Sequence, residues 1–195
     1  TLEMDVDRIE SVITDKTKAI LAVDVFGQPM DMRKLREIAD KHNLILIEDS
    51  CEALGSEYNG IKSGSMADAA VFAFYPNKQI TTGEGGMIVT NDDNIAELCR
   101  SYRSQGRAIT GFWLHHERMG YNYRMSEVNA VIGSVQMDRL DDIISRRNKV
   151  ANMYNDRLSK IKGVTVPYVS PDTTVMSWFV YVIRLDENID RDKVM

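Results

Sequence analysis

Two short apolar runs, "TKAILAVDVF" at 17–26 and "LILIED" at 44–49, flank a segment of helical spacing, and that pairing restricts the possible folds most. Between them "GQPMD" reads as a turn and Asp31 as a helix N-cap. The helix expected over about 31 to 43 places Met32, Leu35, Ile38 and Ala39 on one face. Runs this short and this continuous read as strands buried on both faces. One short helix between two of them implies a parallel pairing. Two more strands are expected at 68–76 ("DAAVFAFYP") and 85–91 ("GGMIVTN"), with a lysine-bearing loop between them. A short amphipathic helix carrying Val6, Ile9, Val12 and Ile13 precedes the first strand, and a further helix is expected at about 92–104. From Ser126 to about Ile161 the pattern is helical, with Val128, Val131, Ile132, Val135, Leu140, Ile143 and Ile144 on or near one face. A last strand is expected at 177–185. The fold class is α/β, three layers around a mainly parallel sheet.

The bulk numbers bound the function. The 195 residues, 44% hydrophobic and 27% charged, suit one globular domain and the start of a second. We place the division at 1–162 and 163–195, where "GVTVPYVSPDTT" reads as a linker. The formal charge is −5 without any basic block, which argues against a nucleic-acid partner. Two cysteines, Cys51 and Cys99, cannot build a disulfide framework, so reduced thiols and a cytoplasmic location are expected. No apolar run approaches the roughly 18 residues of a membrane span. The acidic, amphipathic opening "TLEMDVDRIE" does not resemble a secretory signal. Without an initiator Met, and ending on "DRDKVM", the stretch reads as an interior piece of a longer polypeptide.

Few residues suggest chemistry by themselves. Asp49 closes a buried strand at its carboxyl end, the edge at which open α/β sheets bind ligands. A carboxylate there is costly to bury without a cation, although a helix cap or loop acid would look the same. Lys78 follows the next strand and is expected at the same edge. In a half-buried pocket such an amine becomes a nucleophile suited to Schiff-base chemistry, whereas on an open loop it is merely solvated. The glycines of "TTGEGG" (81–86) permit close backbone approach. A strand follows them, so they match neither the phosphate loop nor the dinucleotide fingerprint, and a hairpin turn explains them equally. His115, His116 and Glu117 are adjacent in sequence and do not share a helix face, a poor arrangement for a metal.

Four motifs, "VFGQPMDM", "LILIEDSCEALGS", "FAFYPNKQITTGEGG" and "HERMGYNYRMSEVNA", occur in this order over nearly the whole chain. Together they closely resemble the pyridoxal-phosphate (PLP)-dependent sugar aminotransferases of the DegT/DnrJ/StrS type. The resemblance implies the aspartate aminotransferase fold (fold type I): the large PLP-binding domain, followed by the beginning of a small C-terminal domain. It implies that Lys78 holds PLP as a Schiff base and shuttles protons, and that Asp49 pairs with the pyridine nitrogen. Such a carboxylate keeps the ring protonated and able to accept carbanion charge. Glu52 matches a position near the ring that is usually glutamine. Ala73 matches one where many relatives have a phosphate-binding serine, a hydroxyl that alanine cannot supply. Asn122 matches an asparagine reaching the phosphate of a neighbouring subunit's cofactor, which implies a homodimer with shared active sites. The family's upstream phosphate loop would precede Thr1, and most of the small domain would follow Met195. The implied activity is amino transfer, with glutamate as donor, to a keto-sugar nucleotide in deoxyamino-sugar or surface-polysaccharide synthesis. Two alternatives stand beside it: a sugar dehydratase, whose representatives replace the lysine by histidine, and a non-catalytic regulatory relic.

Overall fold

The computed structural model describes residues 2–108 and 112–195; Thr1 and residues 109–111 lie outside them. A 3-10 turn at Val6–Val12 leads to β1 (Ala19–Val23), a second 3-10 turn at Val25–Gly27, α1 (Met32–Lys41) and β2 (Ile45–Asp49). Then come β3 (Glu57–Tyr58), β4 (Ile61–Lys62), β5 (Ala69–Ala73), β6 (Gly86–Val89) and α2 (Asp93–Arg103). The remainder holds α3 (Glu127–Met137), α4 (Leu140–Leu158), β7 (Val164–Thr165), β8 (Thr173–Val175), β9 (Arg184–Leu185) and α5 (Arg191–Val194).

The main sheet has the order β1-β2-β5-β6. β1, β2 and β5 are parallel, with Val23 opposite Asp49 and Asp49 opposite Val71. β6 returns antiparallel to β5, pairing Gly86 with Ala73. The sheet is therefore mainly parallel, as the β1–α1–β2 pattern requires. Asp31 caps α1 by accepting from the Lys34 amide at 3.0 Å. The expected apolar face of α1, Met32, Leu35, Ile38 and Ala39, is buried against Ile20, Ala22 and Leu46 of the strands and Ile9 of the first turn. Period-two alternation puts Leu21, Val23 and Ile45 on the other face, where they remain exposed. The expectation of burial on both faces thus holds among the described residues only for the α1 side.

Two expected elements differ in form. The helical pattern from Ser126 divides at Asp138 and Arg139 into α3 and α4. Ser126 caps the first piece through the Asn129 amide at 3.2 Å, and Asp141 and Asp142 provide the acidic first turn of the second. Val128, Val131 and Val135 are well exposed, while Ile144 and Ala151 of α4 are buried. The strand expected at 177–185 is confined to Arg184–Leu185. Upstream, its hydrogen bonds go elsewhere: the amides of Ser177 and Phe179 donate to the carbonyls of Gly27 and Phe26, at 3.1 and 3.0 Å. Trp178 between them has φ 50°, which no strand accommodates.

That docking explains one glycine. Gly27 has φ +99°, and a Cβ placed on it would stand 2.6 Å from the Trp178 nitrogen. Only glycine permits the left-handed conformation and the contact together.

Candidate active site

The parallel strands β1, β2 and β5 end at one edge of the sheet, and the chain delivers its chemistry-bearing groups there. Asp49 is the last residue of β2; its Oδ1 accepts from the Cys51 amide at 3.1 Å. Lys78 lies in the loop after β5, with its amide donating to the Tyr75 carbonyl at 3.0 Å. Its side chain is only 14% exposed. The solvated-loop alternative for this lysine therefore fails.

The Lys78 ammonium faces two groups. Glu52 Oε1 lies 3.8 Å from Nζ, and the Phe179 ring lies beneath it, 4.3 Å from Nζ to the centroid. The carboxylate and the π face both attract the side-chain ammonium. Glu52 is itself fixed, since its Oε2 accepts from the Phe26 amide at 2.9 Å. That amide is presented by a residue at φ 59°, directly before Gly27. Glu52 thus serves in this structure as the counter-ion of Lys78, a role its place in the sequence did not suggest.

Cys51 senses both members of the expected pair. Burial, followed by its hydrogen bond to Asp49 and the negative charge there, pushes its thiol up to about 12, against a smaller opposing pull from Lys78. A thiol held so firmly protonated is not a nucleophile at neutral pH. Asp49 and Lys78 therefore share one neighbourhood, with Cys51 between strand end and loop. The donor set, a half-buried primary amine near a strand-end carboxylate, suits the aldehyde and pyridine ends of PLP. Ala73, paired with Gly86 at the end of β5, offers no hydroxyl toward a phosphate.

Asn122 stands apart. It forms a bridge with Ser104, and its Oδ1 accepts from Arg124 Nε at 2.9 Å. Among the described residues, no hydrogen bond joins it to Lys78, Asp49 or Glu52. A cavity of about 530 Å³ lies elsewhere, between the loop after β4 (Ser63 to Ser65) and the start of α4.

Sequence reasoning missed the residues that build the floor of the site. The main chain of 176–179 is clamped from three sides. Gly27 and Phe26 receive its amides. Gln79 Nε2 donates to Ser177 Oγ at 2.9 Å and also to the Glu52 carbonyl. From α4, Asn148 donates to the Met176 carbonyl at 2.8 Å and accepts from Trp178 Nε1 at 3.1 Å. The signal was in the helix phase: Ile144, Asn148 and Ala151 share one face of α4.

Comparison with known proteins agrees with this fold. The chain superimposes on an aminotransferase of Helicobacter pylori, PseC, involved in the biosynthesis of pseudoaminic acid. The TM-score is 0.90 at 31% identity, over 95% of this chain and 50% of that one. The model of the DegT/DnrJ/EryC1/StrS aminotransferase family matches residues 1–195, and the chain belongs to that family. A GDP-perosamine synthase of Caulobacter vibrioides is 42% identical over 199 residues, covering 100% of this chain and 53% of the relative. A GDP-4-keto-6-deoxymannose-3-dehydratase (ColD) variant superimposes with TM-score 0.91 at 27% identity, over 100% of this chain and 54% of that one. The chain thus spans about half the length of the relatives it matches.

Proposed function

We propose that the protein carrying this chain is a PLP-dependent aminotransferase that passes an amino group, with glutamate as the expected donor, to a keto-sugar nucleotide. The observation carrying the reading is Lys78: a shielded amine at the carboxyl edge of the sheet, facing Glu52 and Phe179 and near Asp49. Its family membership and the named activities of its relatives support the substrate class. Overall shape does not separate aminotransferase from dehydratase, since members of both superimpose equally well. Residue 78 does, because the dehydratases of this family have histidine in its place.

In this reading Lys78 would hold PLP through its side-chain amine and would give and take the proton that amino transfer moves. Asp49 would keep the pyridine ring protonated, and PLP, when bound, would supply an electron sink. Glu52 orients the amine, and Asn122 reaches the cofactor phosphate of a second subunit in a homodimer. Residues 163–195 begin a smaller domain. The separate β7–β9 ribbon supports that division, while 173–179 dock against the large domain.

Borohydride reduction of the PLP-loaded protein, then peptide mapping, tests the reading. The label is expected on Lys78; a label on Lys62 or another lysine overturns it. A protein that takes up no PLP and shows only protein absorbance favours the relic.

A further inference from the structure

Arg147 is the neighbour of Asn148 on α4, and its guanidinium has an unusual set of partners. Nη1 donates to the carbonyls of Trp178 and Phe179 at 2.6 and 3.3 Å, and Nη2 to the carbonyl of Lys78 itself at 3.4 Å. No carboxylate pairs with it among the described residues. By contrast its neighbour Arg146, exposed, forms an ordinary i,i−4 pair with Asp142. Burial alone pushes the Arg147 guanidinium below its usual pKa, so its charge is maintained at a desolvation cost. Three main-chain carbonyls offset that cost. A planar fork of donors can serve diverging carbonyls simultaneously; a lysine ammonium at the same place cannot span them.

The carbonyls it gathers are not arbitrary. One belongs to Lys78, and another to Phe179, whose ring supports the Lys78 ammonium. We propose that Arg147 is the positioning residue of the site: it fixes the Lys78 loop against the 178–179 segment and so sets where the amine stands between Phe179 and Glu52. This rests on the reading of Lys78 as the PLP-bearing residue. Arg147 itself touches neither the amine nor any reacting atom.

The test uses the natural full-length protein and the variants Arg147→Lys and Arg147→Ala. Without PLP, amide hydrogen exchange at Lys78 and Phe179 is expected to rise about tenfold in Arg147→Lys, with Ile47 of β2 unchanged. With PLP, borohydride labelling of Lys78 should slow by a similar factor, and added guanidinium ion should restore much of it in Arg147→Ala. If Arg147→Ala does not fold, the Lys variant decides. Exchange that rises uniformly across β2 and the site marks a general structural role and overturns the proposal. So does labelling at the wild-type rate in Arg147→Lys. A wild-type protein labelled elsewhere than Lys78 refutes the reading of the site instead, and the exchange result then stands by itself.

Discussion

Asp24 and Glu48, two carboxyl groups with no part in the proposed reaction, are fully buried beside each other under the carboxyl edge. The Ser50 hydroxyl lies 2.8 Å from Asp24 Oδ2 and 3.1 Å from Glu48 Oε1, and the Met30 and Gly64 amides donate to one group each. Burial first, then the Glu48 charge, pushes Asp24 up to about 8; burial raises Glu48 as well. The pair accordingly keeps a proton at neutral pH and titrates as a unit. A carboxyl group whose folded pKa is raised contributes stability that is complete below its unfolded pKa near 4 and is lost as pH rises through 8. Between about pH 5 and 8 this one group should remove ~1.4 kcal/mol of stability per pH unit. Asp24→Asn eliminates that titration while retaining an oxygen for the Met30 amide. Urea midpoints at several pH values should therefore fall less steeply in the variant; parallel profiles would refute the shared proton. Asp49, one residue on, should respond differently. Asp49→Asn keeps the acceptor for the Cys51 amide but removes the charge, so amino transfer is expected to drop about a hundredfold, ~2.7 kcal/mol of barrier, with PLP still bound. Turnover at the wild-type rate would remove Asp49 from its role. From sequence, Glu48 and Asp49 read only as two acids ending a strand. Alternation determines their difference, putting Glu48 in the core and Asp49 at the ligand edge.

The elements were legible where periodicity governs them and illegible where a distant segment does. α1 shows this well: its cap, its length and its four buried residues all follow from the local pattern. The segment 177–185 shows the reverse. Its Val, Tyr and Ile content favours a strand, yet Ser177 and Phe179 spend their amides on the turn at Val25–Gly27, about 150 residues earlier. No local signal predicts such a partner. The glycine in "VFGQ" was its only trace. Gly27 and Gly60 both have left-handed φ, +99° and +79°, but only Gly27 has another chain segment against it; a Cβ on Gly60 meets nothing within 4 Å. Gly60→Ala should therefore cost about 1 kcal/mol, the conformational term alone. Gly27→Ala should cost at least ~2 kcal/mol more, because the Trp178 backbone must move. Equal losses of denaturation midpoint in the two variants would show that the docking of 177–179 does not depend on this close approach. In the PLP-loaded protein, Gly27→Ala should also slow labelling of Lys78, since Phe26 holds Glu52 and the docked segment carries Phe179.

For the whole molecule, the four motifs in order implied the mainly parallel α/β fold and, through Asn122, a homodimer, whereas the strand order and the antiparallel return of β6 were not read. α3 exposes Val128, Val131, Ile132 and Val135, and the aromatic stretch before it exposes Tyr121 and Tyr123 on either side of Asn122. Exposed apolar side chains on α3 and beside Asn122, which among the described residues hydrogen-bonds no other site group, suit the proposed shared active site. The proposed homodimer makes a definite prediction. Lys78→Ala removes the amine from its own site. Asn122→Asp places a carboxylate against the phosphate of the partner's site, where like charges repel. Each homodimer should be inactive. In a twofold dimer that exchanges subunits, mixing the two preparations equally makes about half the dimers mixed, each with both lesions in one site and an intact second site. Activity should then return to about a quarter of the wild-type level, in step with the mixed dimers counted by mass-tagged subunits. If mixed dimers form and no activity returns, Asn122 serves its own subunit or none. If the full-length protein remains monomeric at all concentrations, the shared site itself is refuted.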